Sequence, residues 1–410
     1  MSNLEFVESF SQEPKIKIIG VGGGGSNAVG TMFDKKLEGV DFLITNTDMQ
    51  ALNRSGVPTK LQLGANLTRG LGAGFNPEVG ELAAVEDKEK IAEWINGADM
   101  VFITAGMGGG TGTGASPIIA SVARENKILS IAVVTTPFMN EGDEKERIAL
   151  KGIEELKKVV DSLIIIPNQK LVNFCDEELS IFDAFKKADE VLYLAVKGIS
   201  DVINSYGYMN IDFNDVKRIM QERGMALMGI GRSNGKNRAI DAVEKAISSP
   251  LLDCDIKGAK GILINFTGNR NMTMEEINNA VELVKKEAAP DAYIKWGLVE
   301  STMQSEDDIE VTVIATGFES FNDRKIKQES VFMQSNSKAA HQNQVEEYEE
   351  EVKTPMLKVV NGSPIEINRS PFPTEGGRGV SKDVKNDASY MHDKFAAKFD
   401  YPTYLRKQNS

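Results

Sequence analysis

Two cysteines and two histidines in 410 residues leave little scope for thiol or imidazole chemistry. Cys175 and Cys254 can build neither a disulfide framework nor a four-thiolate metal site, and each is expected to be a small buried hydrophobe. His341 and His392 both fall in a late polar region, which argues against imidazole acid-base catalysis and against histidine-ligated zinc. No stretch approaches the roughly eighteen unbroken apolar residues that cross a bilayer. Met1 to Glu13 has neither a basic leader nor an apolar core, so a cytoplasmic protein with no direct membrane insertion is expected. Acidic residues outnumber basic ones by 60 to 47, a formal charge of −13, and no basic stripe is present to hold a nucleic acid backbone. Nucleic acid is therefore not an expected partner. A phosphate ligand would have to be attracted by backbone amides and helix ends instead of by side chains.

What the sequence does contain is enough apolar material, 41% of residues, for one large or two medium cores. Short apolar runs at Ile16 to Ile19, Phe42 to Thr45, Val101 to Ala105, Ile128 to Thr135 and Leu163 to Ile166 alternate with helical stretches, which predicts a doubly wound, mostly parallel α/β domain over 14–178. Asn76-Pro77 opens a helical segment closing at Asn96-Gly97, and Ser116-Pro117 opens the next. Apolar residues at Phe182, Phe185, Ala188, Leu192, Val196, Ile199 and Ile203 predict a long central helix over 179–204. A smaller α+β domain over 205–318 follows. Its expected helices are Asp212 to Glu222, Arg238 to Ile247 and Met274 to Glu287, and its strands Met225 to Ile230, Gly261 to Phe266, Tyr293 to Val299 and Ile309 to Thr316. Beyond it the composition turns to Gln, Asn, Ser, Lys and Glu, and 319–397 reads as a disordered linker. From Glu319 to Ser410 there are 14 acidic and 14 basic residues, so the whole charge excess belongs to the folded part. The end, 398–410, regains aromatics and closes on a basic cluster, as either a docking peptide or a frayed terminus.

Two glycine-rich segments carry the chemistry. The first, Gly20 to Asn27, follows a strand and opens a helix, so amides can approach a phosphate with no Cβ in the way. By itself it is ambiguous, because Gly20, Gly22 and Gly25 also fit the dinucleotide fingerprint G-x-G-x-x-G with Asp41 as a ribose acid, leaving a nicotinamide-dependent oxidoreductase as the alternative. The second, Gly106 to Gly114, holds six glycines in nine residues. Each is disfavoured by about 1 kcal/mol relative to alanine in ordered structure, which a purely structural loop has no reason to accumulate. A third segment, Gly70 to Pro77, places glycines and an Asn cap at a helix start. A Walker-type P-loop is excluded, since Ile230 stands where Gly235-Lys236 requires a glycine and Asn237 replaces the Ser or Thr.

Taken in order with Asn46-Thr47-Asp48 and Asn210-Ile211-Asp212-Phe213-Asn214-Asp215, these motifs make the chain resemble the FtsZ family of bacterial cell-division GTPases, relatives of tubulin. The resemblance runs from Lys15 to Phe318 and includes Ile247 to Leu252. It implies that GTP is bound by Gly22, Gly23, Gly24, Gly25, Ser26 and Asn27, by Asn46 and Asp48, by Gly72, Ala73, Gly74 and Asn76, and by Gly108, Gly109, Gly110, Thr111, Gly112 and Thr113. It also implies that Asn168, Phe185 and Asp189 recognise and stack on guanine. From the residues alone these three read equally as a strand-end turn, a core aromatic and a solvated helix charge. Glu141 matches the family segment at ribose and phosphate. Lys145 replaces the arginine usual there, and a lysine neutralises charge without a bidentate fork.

The resemblance further implies a polymer. Asp212 and Asp215 would polarise and position the water that attacks the terminal phosphate, with Asn210 orienting their loop, and would reach the nucleotide of the next subunit in a head-to-tail homopolymer. As sequence features alone they read as an N-cap and a dipole partner. A triphosphate in an acidic protein calls for Mg2+, held by phosphates and water with no dedicated side-chain ligands. Asp400 to Lys407 resembles the family's docking tail, with Tyr401 and Tyr404 where an aliphatic residue and Phe are frequent. A membrane-tethering division protein such as FtsA is the implied partner, at the mid-cell division site.

Overall fold

The computed structural model describes residues 13–173, 180–204, 209, 211–221, 223–248, 256–300 and 307–317. Asn210, both cysteines, Leu179, Glu222, Ser249 to Leu252, the 319–397 linker and the 398–410 peptide lie outside the described residues.

The first half comprises β1 Ile16–Val21, α1 Gly22–Asp34, β2 Val40–Asn46, α2 Met49–Arg54, β3 Lys60–Gln62, α3 Ala65–Thr68, α4 Pro77–Glu86, α5 Lys88–Ile95, β4 Met100–Gly106, α6 Gly110–Glu125, β5 Leu129–Thr136, α7 Asp143–Val159, β6 Ser162–Pro167 and α8 Asn168–Asn173. Then come α9 Ile181–Asn204, α10 Phe213–Met220, β7 Gly224–Ser233, α11 Arg238–Ile247, β8 Gly261–Gly268, α12 Met274–Glu287, β9 Tyr293–Glu300 and β10 Ile309–Thr316. All ten strands form one sheet in the order β3-β2-β1-β4-β5-β6-β7-β10-β8-β9. Pairing is parallel from β3 to β7 and between β8 and β9, and antiparallel where β10 lies between β7 and β8.

Both faces of the parallel part are covered, which explains its unbroken apolar runs. Successive residues alternate between the faces. Ile16, Ile18, Met100 and Phe102 enter a core with Ala28, Val29 and Met32 of α1 and with α9. Ile19, Val21, Val101, Ile103 and Ala105 enter a second with residues of α4 to α7. The first core continues through Ile211, Val216, Met228, Leu263 and Ile314 of the second half. The two halves therefore share a core as well as a sheet, joined through the pairs Ser162 to Gly224, Leu163 to Met225 and Ile164 to Ala226. A third core lies under α11 and α12.

Three expectations are corrected. The segment from Asn76 to Gly97 is two helices, broken at Asp87 because its buried carboxylate accepts from Gly64 N at 2.8 Å and pairs with Lys90 at 2.6 Å. The helix expected to open at Ser116-Pro117 begins six residues earlier, at Gly110, with Pro117 inside it. Its glycine-rich start is held by α4, close enough that a Cβ on Gly114 would lie 1.9 Å from Pro77 O. Tertiary packing thus overrides the missing proline N–H. Finally, Phe182 and Phe185 stand out from the buried stripe of α9, 77% and 45% exposed.

Candidate functional site

The two glycine-rich segments are helix beginnings, set at the carboxyl ends of the neighbouring strands β1 and β4. Neither N-cap, Val21 for α1 and Gly109 for α6, offers a side chain to the first-turn amides. Two sets of free N–H groups with their helix dipoles thus open on the same edge of the sheet. The backbones touch: Gly22 has φ +73, and a Cβ there would lie 2.8 Å from Gly112 N. Gly23 and Gly109 behave differently, since a Cβ on either would meet nothing within 4 Å. Close contact explains the first pair, whereas open space beside the second pair is where a ligand fits. Nearby in α1, the Ser26 hydroxyl is buried with no hydrogen-bond partner among the described residues, a state that costs about 1–3 kcal/mol unless water or a ligand relieves it.

The remaining phosphate-side residues converge on this point. The Thr47 and Thr111 hydroxyls meet at 2.7 Å, tying the end of β2 to the head of α6. Asn46 is buried and its Oδ1 accepts from Asp48 N at 3.2 Å. Asp48 caps α2, accepting from Gln50 N at 2.8 Å and Ala51 N at 3.2 Å. Gly72 N donates to Thr47 O at 3.2 Å. A Cβ on Gly110 would lie 2.8 Å from Ala73 Cβ and 3.0 Å from Asn76 N, so Gly72, Ala73, Gly74 and Asn76 flank the second helix start. Gly108 N donates to the buried Thr113 hydroxyl at 2.9 Å, fixing the turn before α6.

A second wall stands beside the cradle. Gly108 adjoins Lys145, whose ammonium pairs with Glu141 and lies 5.5 Å from the Phe75 ring. Glu141 accepts from Phe138 N at 2.8 Å. Phe138 meets Phe185 edge to face, with centroids 5.1 Å apart. Met139 N donates to Gln169 at 3.1 Å, bringing in the start of α8, where the buried Asn168 Oδ1 has no partner among the described residues. Asp189 lies one turn beyond Phe185 on α9, and burial pushes its carboxyl up to about 7. An exposed aromatic, an unpaired amide oxygen and a desolvated acid on one wall suit a planar ligand rich in N–H donors.

The acidic residues lie at the other edge of the sheet. The helix α9 starts beside Phe138, after the carboxyl end of β5, and ends with Asn204 packed on Gly39, just before β2 begins. Its 24 residues span about 36 Å at 1.5 Å each. Beyond it, Asp212 caps α10, accepting from Asp215 N at 2.8 Å. Asp215, which the resemblance places with Asp212 on the attacking water, is held by two side chains of β9. Tyr293 donates to its Oδ1 at 2.9 Å, and the Lys295 ammonium sits 2.7 Å from its Oδ2. Burial acts to raise this carboxyl, but Lys295, Tyr293 and the α10 backbone outweigh burial and hold it below the usual range. Thr47, Phe138, Tyr293 and Lys295 were not legible as site residues in the sequence, because each matters through a partner distant in the chain.

The order β3-β2-β1-β4-β5-β6 is shared with dinucleotide-binding sheets, but the ribose acid is misplaced. Asp41 pairs in register with Lys17 at the amino end of β2, five residues and about 16 Å short of the glycine edge. The nicotinamide alternative has no support.

Comparison with known proteins gives one consistent answer. Residues 15–176 match the model of the Tubulin/FtsZ family, GTPase domain, and residues 224–319 that of the FtsZ family, C-terminal domain. Among solved structures, an empty FtsZ dimer from M. jannaschii is 43% identical over 74% of this chain and 88% of that one, with a TM-score of 0.70. CetZ2 from Haloferax volcanii, a GTPγS-bound protofilament, is 19% identical over 80% of this chain and 99% of its own, with a TM-score of 0.66. CetZ1 from the same organism, a GDP-bound monomer, is 18% identical over 78% and 99%, with a TM-score of 0.65.

Proposed function

The chain belongs to the Tubulin/FtsZ family and is a GTP hydrolase, and from this premise we propose that it hydrolyses GTP only between subunits stacked head to tail. The observation that carries the reading is the separation along α9: the helix begins beside Phe138 on the cradle's side of the sheet, runs about 36 Å to the opposite edge, and Asp212 follows its far end. No rotamer change bridges that gap within one molecule, whereas stacking the acidic edge of one copy on the cradle of another closes it. A heterologous contact of this kind extends as a filament.

In this reading the amides of Gly22 to Asn27 and Gly108 to Thr113 hold the phosphates, and Gly72 to Asn76 border the terminal one, with Asn46 and Asp48 beside them. Asn168, Phe185 and Asp189 take guanine, while Glu141 and Lys145 close the ribose side. Mg2+ fits as counter-ion. Phosphate oxygens and water would form its shell, and its chemistry would be to offset charge on the triphosphate. Asp212 polarises the attacking water of the neighbouring site. The filament serves as a bacterial division ring at mid-cell in the cytoplasm, tied to a membrane-tethering protein such as FtsA by 398–410, with 319–397 as the connecting tether. No described helix is long and apolar enough to cross a membrane.

The test is the substitution Asp212→Ala in the full chain. GTP affinity of the isolated subunit is expected to stay within about twofold, while turnover under assembling conditions falls by about 100-fold or more, the scale of a lost acid-base group. Equal loss of binding and turnover would contradict the composite site.

A further inference from the structure

We propose that Lys295 is a positioning residue for hydrolysis, acting through Asp215 to hold Asp212 and to lower the negative charge that the acidic edge brings to the triphosphate. The proposal deepens the composite-site reading and rests on it.

The geometry divides the two acids into different tasks. Asp212 Oδ1 accepts from the amide of Asp215, and the residue is exposed, so its carboxylate is open to water. Asp215 has no such freedom. Its Oδ1 takes the Tyr293 hydroxyl and its Oδ2 the Lys295 ammonium, and the side chain is only 14% exposed. Tyr293 and Lys295 are two residues apart on β9 and therefore share a face of that strand. One turn further along α10, the Arg218 guanidinium lies 4.2 Å from the centre of the Tyr293 ring. The start of α10 is thus clamped to β9 by an ion pair, a hydrogen bond and a cation-π contact. What the clamp fixes is the Asp215 backbone, whose N–H in turn aims the Asp212 carboxylate.

Charge gives the lysine a second role. The chain carries −13, and bringing two unpaired carboxylates to a polyphosphate is opposed by Coulomb repulsion at close range. With Lys295 paired to Asp215, the edge presents one net carboxylate instead of two. A carboxylate held by a cation and a hydroxyl is also a poor proton acceptor, so general-base work falls to Asp212.

The experiment uses the full chain with Lys295→Met, Lys295→Arg, Asp215→Asn, the Lys295→Met/Asp215→Asn double variant, and Asp212→Ala as reference. GTP binding to isolated subunits, light scattering and turnover at saturating assembly are measured. Lys295→Met is expected to bind GTP like the parent, to begin scattering at a higher protein concentration because the edge is more negative, and at saturating assembly to turn over about 10- to 100-fold more slowly, the scale of a misaimed group. Lys295→Arg should recover most of that loss, and the double variant should be no slower than Asp215→Asn alone. The acid limb of the pH-turnover profile should move upward in Lys295→Met, because Asp215 loses the cation that keeps it ionised. Full turnover in Lys295→Met, losses that multiply in the double variant, or scattering at saturating assembly that falls in step with turnover would each overturn the proposal. Wild-type turnover in Asp212→Ala would instead defeat the composite-site reading beneath it.

Discussion

The hydroxyls of Thr47 and Thr111 meet at 2.7 Å in a fully buried position, joining the end of β2 to the first turn of α6. This contact fixes where the second amide cradle sits relative to the segment from Asn46 to Asp48. Replacing Thr47 with Val keeps the volume but leaves the Thr111 hydroxyl buried and unpaired, a cost of about 1–3 kcal/mol. Thermal melting should show the loss in the nucleotide-free chain, and GTP affinity should weaken with it. Thr47→Ser, which keeps the hydroxyl, should recover most of both.

The glycines divide into those packed against backbone and those facing open space, and alanine substitution separates them. A Cβ on Gly114 would lie 1.9 Å from Pro77 O, and one on Gly112 2.5 Å from Gly106 O. Gly114→Ala and Gly112→Ala should therefore melt early, by about 1–3 kcal/mol of overpacking. Gly23 and Gly109 face open space. Gly23→Ala and Gly109→Ala should melt like the parent while binding GTP at least about tenfold more weakly, because the new methyl group occupies phosphate space and a tenfold loss needs only about 1.4 kcal/mol.

This division marks where the sequence was informative and where it stopped. Clustered glycines after β1 and β4 announced backbone approach to an anion, and apolar runs of fixed spacing located nearly every strand. The sequence could not distinguish Gly23 from Gly22, since only the fold shows which one abuts Gly112. Phe185 fell into the apolar stripe of α9 by spacing but is 45% exposed, with its ring edge to face against Phe138 near the start of the helix. Register and shared core between the two halves depend on the Ser162 to Gly224 pairing, a contact with no local signature. Nothing local marks Lys295 within its strand; its pairing with Asp215 follows from the contact of β9 with α10.

Phe185 is 45% exposed and meets Phe138 edge to face at 5.1 Å. Its removal should barely affect the fold. Phe185→Ala is expected to keep its melting temperature within a few degrees and to lose about 1–3 kcal/mol of GTP affinity, the worth of one base stacked on an aromatic ring. Isothermal titration on the isolated subunit measures both the affinity and any change in stoichiometry.

Asp189 makes binding and stability depend on pH in opposite directions. Burial lifts its carboxyl from an ordinary 3.8 to about 7, so below that pH the nucleotide-free chain holds it protonated. Guanine N–H groups need the ionised form as acceptor, so GTP affinity should rise as pH increases through about 7, and Asp189→Asn should flatten that rise. For folding, a raised carboxyl favours the native state when protonated. Its contribution is fully present below the ordinary value of 3.8 and disappears as pH climbs through about 7. Between pH about 4 and about 7 the parent should lose melting temperature relative to Asp189→Asn, and above about 7 the difference should level off, by linkage.

The most direct test of a reaction centre divided between two subunits is GTP turnover per subunit as a function of protein concentration, recorded together with light scattering. Turnover per subunit should be negligible in dilute solution and climb steeply at the concentration where scattering begins. A turnover per subunit that stays constant down to concentrations at which only monomers exist would contradict the account.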